Sequence, residues 1–290
     1  TLGNLLSPIL ERAGLDRQKG WIPMIGQPKR SLDILLGRED FNFPGTWKLL
    51  DLPPEIPDIL HCHNLHGGYF DLNALPWLSH RVPTMVTLHD SWLLTGHCAY
   101  FLDCNRWKTG CGECPHLDVY PKIKRDASSH NWQKKRNILA RCKLYVSTPS
   151  QWLMNRVEQS ILSASIAECR VIPNGIDLAI FKPGSKTEAR KTLGIKQETP
   201  VLLFIGNRFK ENPFKDYSTI RRTMRHLAQQ NHPQELLLIC VGDEGADETF
   251  GKVRISYAGY QKEARKISLF YRAADIFLHA AKTEAENFPT

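Results

Sequence analysis

"CRVIPNGIDLAIFKPGS", Cys169–Ser185, decides the fold. Its first half reads as an apolar strand that ends at Asn174 and Gly175. Its second half carries Pro183 and Gly184 and shows neither a helical nor a strand period. Apolar runs alternate with amphipathic segments before it, and the same alternation restarts after it. Ile176–Pro183 is therefore expected to be a linker. The 290 residues are expected to form two domains, 1–178 and 179–290.

Working outward, the upstream strands are "IPDILHCHN", "PTMVTLHD" and "CKLYVSTP", with helices "LNALPWLSH", "SHNWQKKRNILA" and "SQWLMNRVEQSIL" between and after them. Ser150 is placed to cap the last helix. Downstream, "TPVLLFIGN", "ELLLICVGD", "VRISYAGY" and "DIFLHAA" read as strands, and "DYSTIRRTMRHLAQQN" and "EARKISLFYRAA" as helices. This alternation predicts an α/β fold: two Rossmann-like domains facing a cleft, each a parallel sheet covered on both faces. Residues 1–55 give little pattern beyond a helical one in "LGNLLSPILERAGL", Leu2–Leu15.

The composition supports two cores, with 42% hydrophobic residues, and a basic surface, with 38 Lys and Arg against 30 Asp and Glu. A net charge of +8 suits phosphate-bearing ligands, anionic lipid headgroups or nucleic acid, and equally a solvated surface. No apolar run reaches the roughly 20 residues that span a bilayer. Of eight cysteines, Cys62, Cys142, Cys169 and Cys240 lie in or beside apolar runs, where a free thiol behaves as a small hydrophobe. A reducing, cytoplasmic setting is expected.

In a parallel sheet, ligands bind beyond the carboxyl ends of the strands. The residues that fall there are His61, His63, Asn64 and His66, then His89 and Asp90. In the second half they are Gly206, Asn207 and Arg208, then Gly242, Asp243 and Glu244, then Gly259 and Tyr260, and last Glu284 and Glu286. Glycine admits close backbone approach. Arg208, Lys210 and Lys215 beside a helix N-terminus form a candidate diphosphate site. Ordinary loop glycines and solvated cations are the plainer account of any single position. No Asp-x-Asp pair stands ready for a divalent cation, so no catalytic metal is expected.

Four further cysteines crowd one loop, Cys98-x5-Cys104-x6-Cys111-x2-Cys114. The Cys-x2-Cys half has zinc-knuckle spacing. A structural zinc on these four residues, two disulfides or free thiols, and a catalytic thiol are three competing readings.

Four stretches resemble the retaining glycosyltransferases of family four, and among them the bacterial colanic-acid and exopolysaccharide type. They are "DILHCHNLHGGYF" (Asp58–Phe70), "VTLHDSWLLTGHCAYFLDCNRWKTGCGECPHL" (Val86–Leu117), "STPSQWL…VIPNGIDLAIFKP" (Ser147–Pro183) and "YRAADIFLHAAKTEAENFPT" (Tyr271–Thr290). The resemblance implies a GT-B fold with an acceptor-side first domain and a donor-binding second one. It also implies a piece lacking the start of the first domain and the end of the second. It places His89, His63, Asn64 and Asp90 in the sugar cleft, Arg208 and Lys215 on the donor diphosphate, and Gly206, Gly259 and Tyr260 at the nucleotide. Lys215 is followed by Asp216 where the family writes Gly. Glu286 matches a glutamate facing the donor sugar, with Glu284 its rival. The implied partners are a UDP- or GDP-sugar and a glycan or lipid-linked acceptor, with transfer by retention. Lys122, Lys124, Arg125, Lys134, Lys135 and Arg136 suit either peripheral contact with the inner face of an anionic membrane or, more simply, a solvated helix face. A non-catalytic nucleotide-sugar-binding module and a zinc-stabilised nucleic-acid-binding protein are the rival classes. The second leaves the two α/β repeats unexplained, so no nucleic-acid partner is expected.

Overall fold

The computed structural model describes residues 28–230 and 234–281. The helical pattern at Leu2–Leu15, and Glu284 and Glu286, lie outside the described residues. The chain divides into two compact units between Asn174 and Gly175.

The first unit runs α1 (Pro28–Leu35), β1 (Leu60–His63), α2 (Leu75–Arg81), β2 (Thr84–Thr87), α3 (Ser128–Leu139), β3 (Leu144–Thr148), α4 (Gln151–Glu158) and β4 (Ile166–Val171). Its four strands are all parallel and lie in chain order. His63 sits opposite Thr87, and Thr87 opposite Ser147, so the strand ends share one edge. Period-two alternation sets the faces. Cys62, Val86, Leu144 and Val146 enter the core with Leu75, Leu78 and Leu139. His61, His63 and Tyr145 point the other way and are exposed. The expected cover on both faces is thus absent among the described residues. Chain-order strands explain this, because successive right-handed crossovers stack their helices on a single face.

Ser150 caps α4 as expected, its Oγ accepting from the Leu153 amide at 3.2 Å. At the start of α3 the cap position is Ala127, and Asp126 before it accepts from the amide and hydroxyl of Ser128 at 2.9 and 2.6 Å. The surface position expected for Lys135 needs correction. Asn131, Lys135 and Leu139 recur on one side of the helix and all three are buried. Lys135 is 0% exposed and pairs with Glu39 at 2.7 Å. It therefore has no access to a membrane surface. Lys134 lies over the Phe41 ring and Arg136 over Trp132.

The second unit runs α5 (Lys186–Leu193), β5 (Val201–Ile205), α6 (Tyr217–Gln229), β6 (Leu236–Val241), β7 (Glu248–Phe250), β8 (Val253–Tyr257), α7 (Ala264–Ala273) and β9 (Ile276–Phe277). Its sheet order is β7-β8-β6-β5-β9, parallel except for β7. Here both faces are covered. Leu202, Phe204 and Leu238 pack with Ile220 and Met224 of α6, while Leu203, Ile239 and Val241 pack with Phe270 of α7. Residues buried on both faces read as unbroken apolar runs, as "VLLFI" and "LLLICV" do.

Helix α5 was not legible as an element in the pattern reading, yet its punctuation is clear. Ser185 Oγ accepts from the Glu188 amide at 3.2 Å, and Gly194 closes the helix at φ +68°. The stretch expected as a linker is tied down. Arg272 donates to the carbonyls of Ile180 and Lys182, and Ser268 Oγ also donates to Ile180.

Candidate functional site

In the first unit, the loops after β1 and β2 bring together two side-chain pairs. His63 Nδ1 lies 2.9 Å from His89 Nε2, with the rings stacked at 5.1 Å. His66 Nε2 lies 2.6 Å from Asp90 Oδ2, and Asp90 Oδ1 accepts from the Trp92 amide at 2.9 Å. The turn that makes this possible begins at Asn64, in the left-handed region at φ +42°. Tyr69 locks it, its one hydroxyl hydrogen shared between the carbonyls of His63 and Asn64 at 2.8 and 2.7 Å. His63, Asn64, His89 and Asp90 therefore belong to one edge of one sheet. His66 joins them, although the sequence reading marked it only as a strand-end residue. Burial, and then the charges of His61 and His89, hold the His63 imidazole below its ordinary range.

The cysteine loop follows this edge directly. Its four thiols are free, and with His97 they line one cavity. The loop is clasped by α3. Lys135 Nζ donates to the carbonyls of Trp92 and Thr95 at 2.9 and 3.2 Å and sits 3.8 Å from the centre of the Trp92 ring. Trp132 Nε1 donates to the Trp107 carbonyl at 2.8 Å. Gly96 has to be glycine, because a Cβ there would meet the Ser128 carbonyl oxygen at 2.3 Å. The loop carries its own backbone strain at Cys111 and Glu113, φ +52° and +45°. Burial pushes the Cys98 thiol up to about 11 and the Cys111 thiol up to about 12. These are poor nucleophiles near neutral pH, since the thiolate is the reactive form. As they stand, no three His, Cys, Asp or Glu side chains among the described residues are spaced to hold a metal ion.

In the second unit, the loops after β5, β6 and β8 are laced together by their backbones. Gly206 donates to the Val241 carbonyl, Arg208 to Gly242, and Gly242 to Gly259, at 3.0, 3.0 and 2.8 Å. A Cβ on Gly242 would meet the Gly206 carbonyl oxygen at 2.2 Å, so this approach requires glycine. Gly259 takes φ +66° and Tyr260 beside it is 61% exposed. The Lys215 side chain runs over Gly206, with Cγ and Cδ 3.8 Å from where a Cβ would stand. Lys215 also immediately precedes α6 and its cap Asp216. A cation, a glycine and a helix N-terminus thus meet at one sheet edge, an arrangement suited to an anion. Arg208 pairs with Glu211 at 2.5 Å on the exposed surface. Such exposed pairs are weak and readily exchanged for a ligand. Lys210 is turned elsewhere, donating to the Glu244 carbonyl at 2.5 Å and lying 4.0 Å over the Tyr257 ring.

Residues 17–180 match the profile of Glycosyltransferase Family 4. The chain is 27% identical over 250 residues to the putative colanic acid biosynthesis glycosyl transferase WcaC of Escherichia coli strain K12, covering 80% of this chain and 56% of that protein. It is 30% identical over 83 residues to a D-inositol 3-phosphate glycosyltransferase of Kribbella flavida, covering 28% of this chain and 19% of the relative. The chain thus spans about half the length of the longer-matching relative. Among solved structures, sucrose-phosphate synthase from Thermosynechococcus elongatus superposes with a TM-score of 0.52 at 16% identity, covering 80% of this chain and 52% of that one. That likeness concerns the fold, which is of the GT-B class.

Proposed function

Because the chain belongs to glycosyltransferase family 4, we propose that it moves a sugar from a nucleotide-diphosphate donor, UDP- or GDP-linked, onto a growing polysaccharide or lipid-linked glycan. The observation that carries this reading is the meeting of Lys215, Gly206 and the α6 N-terminus at one sheet edge. As the sugar leaves, negative charge builds on the diphosphate. Lys215 offers a compact charge there and Arg208 a bidentate fork, where charge develops rather than where it starts. With those cations in place, the proposal assigns no step to a divalent ion. His89 and its partner His63 are assigned to the sugar being transferred, and retention of configuration is part of the proposal. The assignment of the first unit to the acceptor and the second to the donor is likewise ours.

The similarity to a colanic acid enzyme supports an exopolysaccharide acceptor. Among the described residues no helix is long and apolar enough to cross a membrane. We propose a cytoplasmic setting with peripheral attachment through Lys122, Lys124 and Arg125. The cysteine loop is assigned a structural role. Zinc on Cys98, Cys104, Cys111 and Cys114 is proposed for the loaded protein, with the thiols drawn closer than they stand. About one zinc per chain, lost in Cys111→Ser, supports it; metal-free protein with full stability removes it.

A donor screen tests the main reading. One class of nucleotide sugar should bind and release its nucleoside diphosphate slowly in the absence of acceptor. Tight, steeply salt-dependent DNA binding without any nucleotide-sugar binding would favour the nucleic-acid reading instead.

A further inference from the structure

We propose that a cavity in the first unit, built around His66 and Tyr120, binds a hexose-sized sugar ring carrying an anionic group. The proposal deepens the glycosyltransferase reading and rests on it for taking the ligand as a glycan. The cavity has a volume of about 370 Å³. That lies in the lower part of the range occupied by small-molecule sites, about 300–1,000 Å³, and far above the room a single water needs.

Its walls are chemically mixed in the way a sugar requires. Trp92 lies at the back and is buried, whereas the Tyr120 ring is 49% exposed, an apolar face on which a pyranose can stack. Gly67 and Gly68 line the cavity with bare backbone at φ +99° and +78°. Both conformations favour glycine, and both leave the wall without side chains. His66 supplies a directed polar atom. Its Nε2 donates to Asp90 at 2.6 Å. That fixes the other nitrogen, Nδ1, as an acceptor in neutral His66. Nδ1 stands 3.4 Å from the Tyr120 hydroxyl, a long contact that a ligand hydroxyl can replace.

The charge around the cavity argues for the anionic group. Arg38, Lys122 and Lys124 line it and are exposed. Of the two acids among the lining residues, Glu39 is neutralised by Lys135 at 2.7 Å, leaving Asp40. Asp33 stands 3.6 Å from Arg38 and draws off part of one charge. The remaining balance is positive. A uronate carboxylate and a sugar phosphate share the chemistry that this rim selects.

Ligand-observed NMR titrations of the full chain, without nucleotide, test the proposal with three probes: glucuronic acid, glucose 1-phosphate and glucose. At least one anionic probe should bind about fivefold or more tightly than glucose, and the better one identifies carboxylate or phosphate. Lys122→Ala/Lys124→Ala should weaken that probe about fivefold, within the range of exposed charge contacts, and leave glucose unchanged. Tyr120→Ala should weaken all three with an unchanged melting temperature. Equal binding of glucose and both anions, indifference to both variants, or no binding of any probe at about 50 mM overturns the proposal. Nucleotide-sugar binding, titrated separately on the same protein preparation, reports on the second unit. A failed donor reading is therefore distinguishable from a failed cavity.

Discussion

His63 Nδ1 and His89 Nε2 stand 2.9 Å apart across the ends of β1 and β2, with their ring planes 16° from parallel. One hydrogen is shared between these two nitrogens, so one ring must offer a lone pair. Burial lowers the His63 pKa, and the charges of His61 and His89 add to the shift. The shift favours neutral His63, with a ring nitrogen able to hold its partner in place.

If His89 contacts the sugar during transfer, His89→Ala should lower turnover by about 100-fold, the loss typical of one transition-state donor. Donor affinity should change little, because the cations assigned to the diphosphate lie in the other unit. Both quantities come from initial-rate kinetics and a donor titration. Near-normal turnover would take His89 out of the site.

Stability should fall as pH drops from about 7.5 to 5.5. His97 is buried, with Nδ1 2.9 Å from the Pro121 carbonyl oxygen, and has its pKa lowered chiefly by that burial. His63 and His130 are lowered for the same first reason. A lowered histidine contributes stability that is intact above its unfolded value of 6.5. The contribution is lost as pH falls through 6.5 toward the folded value, because the unfolded state then binds more protons. Urea midpoints across this range should decline, and His97→Gln should flatten the decline. A midpoint independent of pH would contradict the assignment.

The Glu39–Lys135 pair makes a sharper test of the fold. Lys135 has no exposed surface and also holds the Trp92 and Thr95 carbonyls. Lys135→Met should cost about 3–5 kcal/mol, since it leaves the Glu39 carboxylate buried without its cation. Glu39→Gln/Lys135→Met should recover much of that loss. Denaturant unfolding of Lys135→Met, Glu39→Gln and the double variant measures it, and an additive double variant would refute the coupling.

How much of this was legible in the sequence depends on range. The strand-end residues could be read because a parallel sheet places the ends of successive apolar runs on one edge. Gly206, His63 and His89 followed from that rule, and Lys215 from its place just before a helix. Lys135 could not be read that way. "QKKRN" looks like a solvated face, and only a glutamate far upstream makes one of its lysines a core residue. The tethering of the stretch before α5 could not be read either, because its partner Arg272 lies at the far end of the unit. Helix α5 was missed for a local reason. "KTEARKTL" has only a narrow apolar stripe, and its caps Ser185 and Gly194 were its clearest signal.

The cysteine loop yields a chemical prediction. With Cys98 pushed up to about 11 and Cys111 to about 12, iodoacetamide at pH 7.5 should label them far more slowly in native than in unfolded protein. Mass spectrometry of time points reads the rates. Rapid native labelling of either cysteine would point to an activated thiol.

The most direct measurement of the central claim is nucleotide-sugar binding and turnover by the parent chain beside Lys215→Ala and Arg208→Ala. Each variant should retain its melting temperature and weaken donor binding by about 10- to 150-fold, the equivalent of one charge-assisted hydrogen bond of about 1.5–3 kcal/mol. Donor affinity and turnover unchanged in both variants, or no nucleotide sugar bound by the parent chain, would contradict the account.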